Sequence, residues 1–234
     1  MKRTGSMSAN QTKKFKRALF LACVIWSACG LAQTVTTNTF SVSKAIPDGS
    51  LSGLSDTESI TLPSQISLTD VKVELNISGG FNGDYYAYLV HDDGFAVLLN
   101  RVGRTTGNPA GYADGGLFDV VLSDSAANNI HLYQNIVTPP GGGALTGTWA
   151  PDGRNINPTL TLDTDPSTAT LGSFDGTNPN GKWTLFVADV SSGQTGTLVD
   201  WSLITTAVPE PSTVMLGVLG IAAIRFSQRR QNKL

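Results

Sequence analysis

The segment Val71-Lys72-Val73-Glu74-Leu75-Asn76-Ile77 alternates apolar and polar side chains without a break. A chain satisfies that pattern only as an extended strand with one face buried. Asp84-Tyr85-Tyr86-Ala87-Tyr88-Leu89-Val90 predicts a second strand, and Phe95–Leu99 a third across the turn Asp92-Asp93-Gly94. Further strands are expected at Thr57–Leu62, Leu117–Leu122, Ile130–Ile136, Gly147–Ala150, Trp183–Asp189 and Leu198–Thr205. The joints between them carry turn chemistry: Gly79-Gly80, Pro139-Pro140-Gly141-Gly142-Gly143 and Asn178-Pro179-Asn180-Gly181. No helical period appears between residues 39 and 206. Eight to ten short strands over about 165 residues predict an all-β fold, a single antiparallel β-sandwich or jelly roll. Alternation assigns Tyr85, Ala87 and Leu89, and Trp183, Leu185 and Val187, to its core, joined by Trp201 and Leu203. The Thr-rich stretch 33–38 is expected as a loose linker, and Arg154–Ala169 as a long loop.

Both ends read as delivery segments. Lys13, Lys14, Lys16 and Arg17 precede the apolar run Ala18–Trp26, and small residues lead to Ala32-Gln33. That order is a secretory signal peptide over residues 1–32, cleaved between Ala32 and Gln33 by signal peptidase. At the other end, Val208-Pro209-Glu210-Pro211-Ser212 leads into an apolar stretch from Thr213 to Ile224, followed by Arg225, Arg229, Arg230 and Lys233. The stretch is short for spanning a bilayer alone, and its basic end favours the cytoplasmic side, leaving the domain outside. The sandwich, residues 39–206, is thus expected between a signal helix and a hydrophobic helix in 207–234, with anchoring either transient or permanent.

With the ends set aside, six basic residues face seventeen acidic ones between Asp48 and Asp200, a net charge of −11. A nucleic-acid partner needs a basic footprint and is excluded. Cys23 and Cys29 both lie in the signal region, so the exported domain relies on core burial and not on disulfides. His91 and His131 are the only histidines and neither sits in a catalytic motif; there is no Gly-x-Ser-x-Gly elbow and no His-Glu-x-x-His zinc motif. No catalytic residues are assigned. Asp84, Asp119, Asp124, Asp175 and Asp189 fall at strand ends or turns and are the candidate calcium ligands. Solvated turn aspartates are the competing reading. Tyr86 and Tyr88 point away from the core, either packed under a loop or second sheet or open as a platform. With Trp149 they are the candidate glycan contacts.

Several motifs resemble a known family in collinear order. Asn180-Gly181-Lys182-Trp183 followed by Gly196-Thr197-Leu198-Val199-Asp200-Trp201-Ser202-Leu203 resembles the end of the P domain (P/Homo B), the β-sandwich that follows the catalytic domain of subtilisin-like proprotein convertases. Ile46-Pro47-Asp48, Gly83-Asp84, Leu99-Asn100-Arg101, Phe118-Asp119 and Gly147-Thr148-Trp149-Ala150-Pro151-Asp152-Gly153 fit its earlier segments, while the loop after Gly153 is longer than the family's. The tail resembles a PEP-CTERM sorting signal, with Val208, Pro209, Glu210 and Pro211 as its motif. The resemblance implies a galactose-binding-like sandwich, processing by an exosortase, and location in the cell envelope or outside the cell. It also implies a non-catalytic role in binding or structure. The alternatives are an accessory module for a subtilisin-like serine endopeptidase and a module that binds exopolysaccharide.

Overall fold

The computed structural model describes residues 33–62 and 66–209, together with Arg225 and Gln228. Glu210, Pro211 and the expected signal and hydrophobic helices lie outside the described residues, as does Ala32. Nine strands are described: β1 (Thr34–Ala45), β2 (Ser50–Ile60), β3 (Ile66–Gly79), β4 (Tyr85–His91), β5 (Gly94–Asn100), β6 (Leu117–Ser123), β7 (Leu145–Trp149), β8 (Gly181–Asp189) and β9 (Gly196–Pro209). They form a five-stranded sheet in the order β1-β9-β3-β6-β7 and a four-stranded sheet in the order β2-β8-β4-β5. Every pair is antiparallel except β6 with β7, which runs parallel. The architecture is the all-β sandwich, with one mixed sheet.

Strand alternation builds the core. On β3, Val71, Val73, Leu75 and Ile77 face inward, and the register sets Val73 beside Leu203 and Leu75 beside Trp201 on β9. The opposite sheet supplies Trp183, Leu185 and Val187 from β8 and Tyr85, Ala87 and Leu89 from β4, all without solvent exposure. These belong to one hydrophobic cluster. Trp183 and Trp201 keep their indole N–H satisfied, as an enclosed Trp must: Trp183 Nε1 donates to the Pro179 carbonyl oxygen at 2.9 Å and Trp201 Nε1 to Asp56 at 3.0 Å.

Two expectations are corrected. Residues 33–38 are not a loose linker: from Thr34 they pair along β9, with Thr34 opposite Ala207 and Thr39 opposite Ser202. Thr is a good strand residue, and an edge beside β9 gives its backbone partners. Ile130–Ile136 is not a strand either. It forms short 3₁₀ turns over Ile130–Asn135, opened by the Asn129 side chain accepting from the His131 N–H at 2.9 Å. That local side-chain bond competes with a ladder.

The long segment after Gly153 has no strand, yet it is pinned. Arg154 donates to the carbonyl oxygens of Leu162 and Asp163, and Asn100 donates to those of Arg154 and Ile156. Arg104 reaches the Pro158 carbonyl at 2.8 Å.

At the far end of the five-stranded sheet, the Tyr85 hydroxyl donates to the Gly79 carbonyl at 2.7 Å, wedged between Gly80 and Gly196. A Cβ on either glycine would collide with that hydroxyl, and Gly80 also holds a φ of +68°. Gly196→Ala should therefore lower stability by about 1–3 kcal/mol, the usual cost of overpacking. Adding Tyr85→Phe should recover part of the loss by removing the colliding oxygen. Urea melts of the two single variants and the double variant measure this, and strictly additive losses would count against the wedge.

Candidate functional site

Alternation along β4 sends Tyr86 and Tyr88 to the outer face of the four-stranded sheet. There they pack against aromatic neighbours from adjacent strands. Tyr88 is paired with Phe186 of β8, and their rings stack at 4.7 Å with 16° between planes. Phe95 lies 5.4 Å from Tyr88, and Tyr86 lies 5.8 Å from Tyr88 and 6.3 Å from Phe186. All four rings are half-buried, leaving an aromatic ridge open to solvent. Gly53 of β2 passes so close over Phe186 that no side chain fits between them. Beside the ridge, Ser55 is opposite Phe186 and Thr57 opposite Thr184, their hydroxyls 2.9 Å apart in the Thr pair. Ring faces flanked by hydroxyls suit ligands with a flat apolar side and a polar rim.

Trp149 does not share this surface. It is 5% exposed, and its indole N–H is spent on the Thr146 carbonyl at 3.0 Å. Sequence reasoning missed Phe95 and Phe186. The signal was present, because Phe186 occupies an outward position in the same alternation that buries Trp183, Leu185 and Val187.

The five candidate calcium ligands lie in three places. Asp84 and Asp189 meet at the pole where β3 ends and β4 begins. Asp124 and Asp175 approach each other around Gly172, where Asp124 accepts from the Leu171 and Gly172 N–H groups. Asp119 stands on the outer face of the five-stranded sheet, at a left-handed φ of +50° beside Asn76. Among the described residues, no three acidic, His or Cys side chains are placed to hold one metal ion.

At the Asp84–Asp189 pole a cation is already built in. Arg101 Nη2 donates to Asp84 at 3.4 Å, and its Nε donates to the Gly83 carbonyl. Asp189 is wholly buried and keeps one carboxylate oxygen, Oδ2, without a partner. Its pKa is pushed up to about 6, chiefly by desolvation and further by the nearby charges of Asp84 and Asp48. Burial also raises Asp84, against the pull of Arg101.

Both histidines are buried and fully engaged. His91 stacks on Trp183 at 4.0 Å and 5°, with Nδ1 2.9 Å from the Lys182 carbonyl and Nε2 2.7 Å from the Asn178 carbonyl. His131 has Nδ1 2.7 Å from the Asp152 carboxylate and Nε2 3.0 Å from the Arg104 carbonyl. The His131–Asp152 contact has the form of a base and its orienting carboxylate. Its far nitrogen meets a backbone oxygen and no nucleophile, while Asp152 also accepts from Arg154 at 3.2 Å. These are structural ties.

Residues 155–205 match the proprotein convertase P-domain, and residues 207–231 match the PEP-CTERM protein-sorting motif. The first match runs from the long loop onto β9; the second takes in the last three residues of β9. Among solved structures, the chain is similar to the serine protease of Aeromonas sobria, both alone and in complex with the chaperone ORF2. Identity is 18% in each case, with TM-scores of 0.42 and 0.45. The alignments cover 82% and 83% of this chain but only 29% and 30% of the protease chain, so this chain spans under a third of that protein's length. No curated protein matches the chain.

The Asp189 environment sets a pH dependence. A carboxyl that holds its proton to about pH 6 in the fold, against 3.8 when unfolded, favours the folded state at low pH. That contribution is lost as pH rises through 6. Asp189→Asn should match the parent at pH 4 and exceed it by roughly 1–3 kcal/mol at pH 8, read from urea midpoints across that range. A difference that stays constant with pH would contradict the assignment.

Proposed function

We propose that this exported, exosortase-sorted chain, which carries its PEP-CTERM signal directly after a P-domain segment, is a non-catalytic binding module. It is displayed at the cell envelope or released from it, with the aromatic ridge of the four-stranded sheet as its ligand surface. The observation that carries the reading is the ridge itself: four half-buried rings from β4, β5 and β8 on an outer sheet face, with Tyr88 stacked on Phe186 and tilted against Tyr86 and Phe95. The engagement of both imidazoles by structural acceptors supports the non-catalytic part, since neither has a nitrogen turned to a hydroxyl.

The ligand class that suits the ridge is an uncharged glycan of the exopolysaccharide matrix. Ring faces stack on the apolar side of a sugar, the Thr57–Thr184 rim offers hydroxyls, and the net charge of −11 disfavours polyanions. Tyr88→Ala and Phe186→Ala should each weaken retention on a neutral polysaccharide gel about three- to tenfold, the value of one aromatic contact, with unchanged melting temperature. Undiminished retention in both would remove the ridge from consideration.

A second reading draws on the match of residues 155–205 to the P-domain: an accessory module for a separately encoded subtilisin-like protease. Mixing the exported domain with such proteases from the same cell should then raise the protease's melting temperature by several degrees. No shift at excess domain would leave the display reading alone.

A further inference from the structure

The described chain enters and leaves the five-stranded sheet at one end. β1 begins at Thr34 and β9 finishes at Pro209; the register sets Thr34 opposite Ala207, Ser67 opposite Val208 and Ile66 opposite Pro209. Partnered Cα atoms of antiparallel strands lie about 4.5–5.5 Å apart. The two exits, and the start of β3, are therefore side by side. The sorting match starts at residue 207, so Val208 and Pro209 belong both to that segment and to the hydrogen-bonded end of β9.

Little chain is left for a hinge. Three residues, 210 to 212, separate Pro209 from the start of the apolar stretch at Thr213, four Cα–Cα steps that bridge at most about 14 Å when fully extended. Two prolines, Pro209 and Pro211, restrict that span further. β3 and β9, fourteen residues each, carry the sheet about 45 Å to its opposite end. There Gly79 is paired with Gly196, and Asp48 accepts from the Gly193 N–H. The leash is about a third of the distance between poles.

Charge opposes the remaining alternative, a domain lying on its side. The exported part carries −11, and an anionic bilayer repels it. The tethered pole itself bears Asp70, Asp124 and Asp175; burial, and after it the nearby charges of Asp70 and Asp124, raise the Asp175 carboxyl above its ordinary value. The pole is held near the lipid by its leash and not by attraction to it.

We infer that the anchored protein stands upright on the membrane, with the pole formed by the starts of β1 and β3 and the end of β9 facing the lipid surface. The Asp48–Asp84–Asp189 pole then points away, and the aromatic ridge faces sideways. The inference rests on anchoring through the PEP-CTERM segment. Thr34, the second residue after the expected signal-peptide cleavage, lies at the same pole as Pro209.

The exported domain has no cysteine, which gives a clean background for labelling. In the full chain with Cys23→Ser and Cys29→Ser, a fluorophore is placed either through Thr34→Cys or through Gln194→Cys, both exposed positions. The chains are reconstituted into phosphatidylethanolamine–phosphatidylglycerol vesicles containing headgroup-quencher lipid. Quenching at position 34 should exceed that at 194 severalfold, with equal melting temperatures for the two variants. Membrane-bound chains with equal or reversed quenching overturn the upright orientation alone. Chains that fail to float with the vesicles overturn the anchoring and the orientation together.

Discussion

The fold depends on β9 being hydrogen-bonded on both sides. It lies between β1 and β3 along nearly its whole length and places Trp201 and Leu203 in the centre of the core. It is also the last strand among the described residues, and its final residues overlap the start of the sorting segment. The five-stranded sheet is therefore incomplete until residues 196–209 arrive. β1, 163 positions earlier at the Thr39–Ser202 contact, pairs among the described residues with β9 alone. Such distant pairing costs loop-closure entropy before any contact rewards it.

Without disulfides, the long connections are held by buried polar networks. Asp152 joins His131 to Arg154, Arg154 gathers the carbonyls of Leu162 and Asp163, and the His131 ring closes onto the Arg104 backbone. Buried ion pairs of this kind add little net stability, because desolvation offsets their attraction. Their effect is geometric: each donor has a partner only when residues 154–163 follow one path. That path covers the end of β5, where the backbone N–H of Asp152 and Gly153 bond to Leu98 and Val97.

Three surfaces then separate by role. One pole takes both chain exits. The opposite pole buries carboxylates against Arg101 and keeps Asp189 partly unsatisfied. Between them, the outer face of the four-stranded sheet exposes the aromatic ridge. On the proposed reading, tethering at the first pole leaves the lateral ridge open to a glycan ligand.

Much of this was legible from the residues alone. The two-residue period of Val71–Ile77 and Tyr85–Val90 fixes which side chains are buried once a sheet exists, because successive side chains on a strand point to opposite faces. The turn clusters mark the strand ends, and the Val208–Pro211 motif with its apolar and basic sequel marks the sorting segment. What the period does not carry is the identity of the neighbouring strand. Residues 33–38 become strand because β9 offers them a partner, and Ile130–Asn135 coil because Asn129 caps them. β7 runs parallel because the residues after β6 carry the chain back to the end where β6 begins, setting Leu145 beside Leu117. Five aspartates that look alike in sequence scatter over three sites for the same reason. Their separations are set by which strands pair, and pairing between residues more than a hundred positions apart is decided only when the two sheets close over one core.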